Sequence, residues 1–161
     1  MNPKVLIADP EKCTGCRACE IACSVKHAHV SNPARSRIRV MNWKNANLFF
    51  PVSCQHCEDA PCLKACPREA ISRDSGLASV VIDYTRCVGC RTCVYACPFG
   101  AMKFDGDRGR PYKCDLCGGT PLCVEICDDN ALTFTDPAQV QYPRARERAR
   151  AFKRSFSRKP F

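Results

Sequence analysis

Short apolar runs, none longer than a strand, recur along this chain between polar turns. Residues 4–8, 70–72, 79–82, 101–104 and 131–134 read as strands, and LASVVI (77–82) is among the longest apolar stretches. The turn-forming segments RDSG (73–76) and DGDRG (105–109) punctuate them. A longer stretch, RIRVMNWKNANLFFPVS (37–53), alternates like a strand, turns near Asn45 and returns. It predicts a hairpin with Trp43 near the tip, in a packing or interface role. CPREAIS, CPFGAMKF and CDDNALTF each read as a short helical turn followed by a strand. No run approaches the ~18 apolar residues that a membrane span needs.

The strands alone are too slight to fold, and the composition shows what supplements them. The chain has 161 residues, enough for one domain or two small halves, and 16 of them are cysteine. Without the cysteines little is left for a conventional core, and small domains of that kind need disulfides or metals. A disulfide scaffold is disfavoured. The start MNPKVLIADPEKC shows neither a basic segment followed by an apolar one nor a twin-arginine pair, so no secretory signal is expected. Thiols this crowded would also need many separate long-range partners.

The cysteines fall into four groups of four with none left over: Cys13, Cys16, Cys19, Cys23; Cys54, Cys57, Cys62, Cys66; Cys87, Cys90, Cys93, Cys97; and Cys114, Cys117, Cys123, Cys127. Groups one and three have the spacing CxxCxxCxxxC, group two CxxCxxxxCxxxC and group four CxxCxxxxxCxxxC. Three thiolates spaced three apart on a tight loop reach three corners of an iron–sulfur cubane, and the fourth points toward a neighbouring cluster. Gly15 and Gly89 lie between the first two ligands, where a chain wrapping a cluster needs positive φ and close approach. The rival reading is zinc, which uses well-separated CxxC pairs. A further alternative is a mixed arrangement in which one group binds zinc or a 3Fe-4S cluster, with groups two and four as the candidates because their middle loops are longer.

The repetition extends beyond the cysteines. VLIADPEKC (5–13) matches VVIDYTRC (80–87), each with an aspartate and then a basic residue before the first ligand. Groups two and four share a proline before the third cysteine, Pro61 and Pro121. The order is A-B-A-B, the mark of a duplicated two-group unit.

With those motifs in hand, the chain resembles the bacterial two-cluster ferredoxins. The full set, with CQHCEDAPCLKACP second and KCDLCGGTPLCVEIC fourth, resembles the four-cluster iron–sulfur subunits of molybdenum and tungsten oxidoreductases. Those include the subunits of dimethyl sulfoxide reductase and formate dehydrogenase and the small polyferredoxins beside tungsten aldehyde oxidoreductases. The resemblance covers roughly residues 4–135. It implies an α+β fold of duplicated ferredoxin-like modules wrapped around four 4Fe-4S clusters. One module holds groups one and four, the other groups two and three, with the hairpin 37–53 inserted. The implied ligand sets are Cys13, Cys16, Cys19 with Cys127; Cys114, Cys117, Cys123 with Cys23; Cys54, Cys57, Cys62 with Cys97; and Cys87, Cys90, Cys93 with Cys66. The family usually places proline after the fourth cysteine. Pro67 and Pro98 conform, whereas Ser24 and Asp128 depart.

Charge changes the picture of the ends. The formal net charge is +9. Four oxidised clusters with their thiolates subtract about eight, leaving about +1. Residues 144–161 hold eight Lys/Arg and one acid, so the preceding body is about −6 once loaded. Residues 1–142 therefore read as the polyferredoxin domain and 143–161 as a basic tail. That tail is either a disordered solubilising end or a docking arm anchored by Phe152, Phe156 and Phe161, for an acidic subunit or for head-to-tail self-association. No nucleic-acid module accompanies the charge, so nucleic acid is not expected as a partner. His27, His29 and His56 are expected at the surface or beside the clusters rather than as ligands. Arg17 and Arg91 are expected to raise cluster potentials or to form plain salt bridges.

The expected function is an electron-transfer subunit, not an enzyme in itself. It would relay single electrons between a larger catalytic subunit carrying tungsten or molybdenum, with aldehyde oxidation as the first guess, and a flavin subunit or ferredoxin. The expected location is cytoplasmic. A free-standing polyferredoxin and a metal-stabilised binding module are the alternatives.

Overall fold

The structure is a computed structural model that describes residues 4–43 and 48–140. The expected tail 143–161 lies outside the described residues. Among the described residues, four two-stranded antiparallel sheets and several short helices make a small α+β architecture. Strand β1 (Val5–Ala8) pairs with β8 (Leu132–Thr135), so the beginning of the described domain closes on its end, with Val5 opposite Thr135. Strands β2 (Arg39–Trp43) and β3 (Leu48–Val52) form the expected hairpin, and Trp43 at its outer end is exposed. Strands β4 (Ile71–Arg73) and β5 (Val80–Ile82) form a third pair, and β6 (Lys103–Asp105) and β7 (Arg110–Tyr112) a fourth.

The helices beside the cysteines are α1 (Ala18–Ala28), α2 (Pro61–Lys64), α3 (Thr92–Tyr95) and α4 (Leu122–Glu125). Three of them are single turns, and a two-stranded ribbon is barely stable alone. The fold is therefore held where these pieces meet, in two separate cores. One gathers Cys19, Cys23, Ile38, Val40, Cys123 and Leu132. The other gathers Ala60, Ile71, Val80, Cys93 and Met102. Cysteines of groups one and four line the first core; those of groups two and three line the second. Helix α1 packs on α4, and α2 packs on α3.

Polar bridges tie the two cores together. Lys103 Nζ donates to the Ser36 carbonyl at 2.5 Å, and Tyr112 Oη donates to the Ala34 carbonyl at 3.2 Å. Arg35 pairs with Asp105 and Asp107. All of these fasten the β6–β7 hairpin to the segment leading into β2.

Strands β1, β5 and β8 each start one residue later than the sequence predicts, and three further differences have a local reason. Strand β4 begins at Ile71 rather than 70, because the Ala70 N–H is taken by Cys66 Sγ at 3.3 Å and is not free for the ladder. Strand β6 begins at Lys103, since Ala101 and Met102 are buried as packing residues ahead of it. Strand β7 was not expected at all. Its centre is Pro111, which normally argues against a strand but is tolerated in a two-stranded ribbon that needs no donor there. No helix among the described residues is long and apolar enough to cross a membrane.

Candidate metal centres

All sixteen cysteines are free thiols. They converge in sets that mix sequence groups. Cys13, Cys16, Cys19 and Cys127 wall one cavity. Cys23, Cys114, Cys117 and Cys123 wall a second. Cys66, Cys87, Cys90 and Cys93 wall a third. Cys54, Cys57, Cys62 and Cys97 gather in the same way: Cys97 and Cys57 both act electrostatically on Cys54, and Cys54 and Cys97 act on Cys62.

The backbone makes this convergence possible. Gly15 and Gly89 have φ of 76° and 70°. A Cβ on Gly15 would run into the ring of Phe49 on β3, and one on Gly89 into the carbonyl of Gly109 between β6 and β7. Each hairpin thus lies over the first loop of a cysteine group, β2–β3 over group one and β6–β7 over group three. Arg17 and Arg91 follow in the left-handed conformation, φ 62° and 66°, as the N-caps of α1 and α3. Among the described residues neither forms an ion pair; Arg91 instead stacks its guanidinium on Phe104, 4.1 Å from the ring centroid.

Burial dominates the electrostatics. It pushes the Cys19 and Cys114 thiols up to about 12 and Cys93 to about 11, and raises Cys123 further. Cys90 is the exception. It is exposed, and hydrogen bonds from the Thr92 hydroxyl (3.4 Å) and backbone hold its thiol below the ordinary value. Further backbone donors reach sulfur directly: Arg37 N to Cys23 at 3.3 Å and Leu116 N to Cys114 at 3.4 Å.

Lys113 is the functional residue that the sequence reading missed. It is 5% exposed, donates to the Cys114 carbonyl at 2.8 Å, and favours the thiolates of Cys54, Cys62 and Cys114. It sits where the two cores meet, since Cys54 belongs to one side and Cys114 to the other. A signal was present: groups one, three and four all carry a basic residue immediately before the first cysteine, Lys12, Arg86 and Lys113. Arg73 was read only as part of a turn. Its guanidinium collects the carbonyls of Ala78 (2.5 Å), Cys57 (2.5 Å) and Glu58 (3.0 Å), and so fastens the loop of group two.

The three histidines take different positions. His29 is exposed and caps α1 with its N–H on the Val25 carbonyl. His56 Nδ1 accepts the Val80 N–H at 2.9 Å, and burial lowers its pKa to about 3, so it is a neutral acceptor. His27 Nε2 lies 3.5 Å from Cys117 Sγ and 3.5 Å from Asp115. Burial disfavours the Asp115 carboxylate, but Arg37 at 2.5 Å and His27 outweigh it and hold its pKa below the ordinary value.

Soft thiolates in fours, positive-φ loops that fit closely around a central volume and the absence of a disulfide among the described cysteines are what a 4Fe-4S cluster requires.

Comparison with known proteins agrees. Residues 45–137 match the model of the 4Fe-4S dicluster domain, and residues 6–26 that of the 4Fe-4S binding domain. The chain is 42% identical over 124 residues to the polyferredoxin-like subunit of an aliphatic sulfonate oxidoreductase of Pyrococcus furiosus, covering 77% of this chain and 71% of that protein. It is 37% identical over 172 residues to the electron transport protein HydN of Escherichia coli (strain K12), covering 91% and 96%. Among solved structures it is similar to a chain of the active site complex BamBC of benzoyl coenzyme A reductase, with 31% identity, a TM-score of 0.51 and coverage of 84% and 80%. The chain belongs to the 4Fe-4S dicluster domain family: it is an iron–sulfur electron-transfer protein, not a catalyst on its own.

Proposed function

We propose that this chain is the electron-relay subunit of an oxidoreductase complex and holds four 4Fe-4S clusters in line. When bound, each cluster supplies reversible one-electron chemistry. The observation that carries the reading is the way the four thiol sets adjoin. Cys19 acts on Cys123 within one core, Cys54 acts on Cys114 across the junction, and Cys62 acts on Cys93 within the other. The sets therefore follow one another as Cys13/16/19/127, Cys23/114/117/123, Cys54/57/62/97 and Cys66/87/90/93. Cys16 and Cys90, in the two terminal sets, are the exposed cysteines. Arg73, Lys113 and the two hairpins fix the loops that carry the thiols, which keeps neighbouring sites at a constant separation.

The partner at one end is a larger, aldehyde-oxidising catalytic subunit with a tungsten or molybdenum cofactor; the partner at the other is a flavin subunit or ferredoxin in the cytoplasm. The basic segment 144–161 serves as a docking arm toward the acidic body of a partner or of a second copy. A chain in which the clusters are only structural would not titrate. The test is iron and sulfide analysis with electron paramagnetic resonance on the anaerobically purified complex. About sixteen irons per chain, reducible reversibly, are expected. Four zinc ions, or clusters that cannot be cycled, would overturn the relay. Purification alone, with no larger subunit attached, would favour a diffusing polyferredoxin. Deleting 144–161 with no change in assembly size would remove the docking role of the tail.

A further inference from the structure

The internal repeat makes the two terminal sites comparable position by position. Asp129 and Arg68 hold equivalent places. Each stands two residues after a fourth cysteine, Cys127 or Cys66. Each precedes a residue of positive φ, Asn130 at 51° or Glu69 at 48°, and then a buried alanine, Ala131 or Ala70. Each lines the cavity of its terminal thiol set, Asp129 at Cys13/16/19/127 and Arg68 at Cys66/87/90/93. Their charges are opposite.

Glu20 and Val94 are a second equivalent pair, each following a third cysteine, Cys19 or Cys93. Glu20 is fully buried. Its Oε1 accepts the Val40 N–H at 2.7 Å and lies 3.9 Å from Arg39 Nε, the Lys103 ammonium also faces the carboxylate, and Oε2 has no hydrogen-bond partner among the described residues. Val94 packs as an apolar side chain against the core around Cys93. The first pair differs by two charges and the second by one, in the same direction; Glu69 in the place of Asn130 runs the other way, but its carboxylate is paired with Arg86 at 3.4 Å.

Hydrogen bonding adds to the difference. Thr14 Oγ1 donates to Asp129 Oδ2 at 2.7 Å and so fixes the carboxylate beside the first set. The equivalent of Thr14 is Val88, which leaves the third cavity without such a group. There, instead, the Thr92 hydroxyl lies 3.4 Å from Cys90 Sγ, at the position Ala18 occupies in the first set. The loop glycines and the arginines after the second cysteines are the same at both ends, so they do not offset the contrast.

Reduction places one more negative charge on a site that is already anionic. Nearby carboxylates oppose it, while guanidinium groups and donors to sulfur favour it. We infer that Asp129 and Glu20 hold the Cys13/16/19/127 site at a lower reduction potential than Arg68 and Thr92 hold the Cys66/87/90/93 site, which gives the relay a direction. A strong one-electron reductant delivers electrons at the Cys16 end, and a one-electron oxidant of higher potential collects them at the Cys90 end. The inference rests on the relay reading above. Asp129 and Arg68 are exposed and therefore screened by salt, whereas Glu20 is not.

The test is a potentiometric titration of the cluster-loaded full chain at low ionic strength, followed by electron paramagnetic resonance. Native protein is compared with Asp129→Asn, Arg68→Gln and Glu20→Gln. Asparagine keeps an oxygen for Thr14 and glutamine one for Val40, so the fold is retained. Asp129→Asn and Glu20→Gln are expected to raise the potential of one and the same signal. Arg68→Gln is expected to lower that of another signal, which in native protein titrates higher. Each change is expected to alter the reduction equilibrium three- to tenfold, up to about 59 mV for one electron. If the signal moved by Asp129→Asn lies at or above the one moved by Arg68→Gln, or if none of the variants moves any signal, the polarity is overturned while the relay stands. If the native chain shows no reversible signals, the relay falls and the polarity with it, before any variant is made.

Discussion

Gly89 lies so close beneath Gly109 that a Cβ at position 89 would overlap the Gly109 carbonyl oxygen. The obstacle is backbone, and the φ of 70° is itself unfavourable for a side chain. Gly15 meets a different obstacle, the flexible ring of Phe49. Gly89→Ala is therefore expected to lose about four irons per chain, and truncating a neighbouring side chain will not restore them. Gly15→Ala is expected to do the same alone but to recover in part when combined with Phe49→Ala, which clears the space and leaves only the dihedral strain of roughly 1 kcal/mol. Iron analysis of the three variants checks the contrast.

Ser24 follows Cys23 where Pro67 and Pro98 follow Cys66 and Cys97, and α1 explains the departure. The helix runs on through Cys23 to Ala28, which puts Ser24 in its interior, fully buried. Its hydroxyl donates to the Ile21 carbonyl at 2.8 Å and accepts the Asn32 N–H at 3.2 Å. Introducing the family's residue, Ser24→Pro, removes a helical hydrogen bond and both side-chain bonds. It is expected to destabilise the chain by about 3 kcal/mol or more. Chemical denaturation read by circular dichroism checks it; an unchanged midpoint would mean that the helix ends before residue 24.

Lys113 is a buried cation shared by two thiol sets. A unit charge removed at about 8 Å in a medium of effective dielectric ~20 is worth about 2 kcal/mol. Lys113→Met is thus expected to lower two of the four potentials together, by roughly 90 mV each. A drop in one signal alone would place the lysine at a single site and not at the junction.

Thiol reactivity in the cluster-free chain follows the shifts. Cys90 is exposed and its thiol is held down by Thr92, so more of it is thiolate at a given pH, and it is expected to alkylate first. Cys19 and Cys114, pushed up to about 12 by burial, are expected to label last. Thr92→Val is expected to slow Cys90 specifically. The sign for stability follows from the same burial. Protonated, the raised thiols favour the folded chain; that contribution is whole below the ordinary value of 9.0 and is lost as pH rises toward about 12. Mass spectrometry of labelled peptides across this range, with thermal melts alongside, checks both.

The Cys-rich loops, the α+β character, the pairing of β2 with β3 and most strand positions were legible in the sequence, because spacing and alternation are local properties. The end of α1, the start of β4 and the existence of β7 were not. Each depends on a partner distant in the chain or on a local competitor for a backbone donor: Asn32 for Ser24, Cys66 for Ala70, Phe104 for Pro111.

By itself the sequence determined how many thiols there are, how they are grouped and that they suit iron–sulfur chemistry. Only the tertiary structure decided what surrounds each set. Asp129 and Arg68 are two residues past a cysteine in either case, and nothing local gives them opposite effects on equivalent sites. That contrast exists because the fold sets Asp129 and Arg68 against separate cavities, each lined by its own thiol set. Likewise Lys113 precedes a cysteine as Lys12 does, but closing the two cores on each other buries Lys113 between Cys54 and Cys114, while Lys12 remains at the surface beside Asp9. A charge acts through its distance and its solvation, and neither is set until the chain is folded.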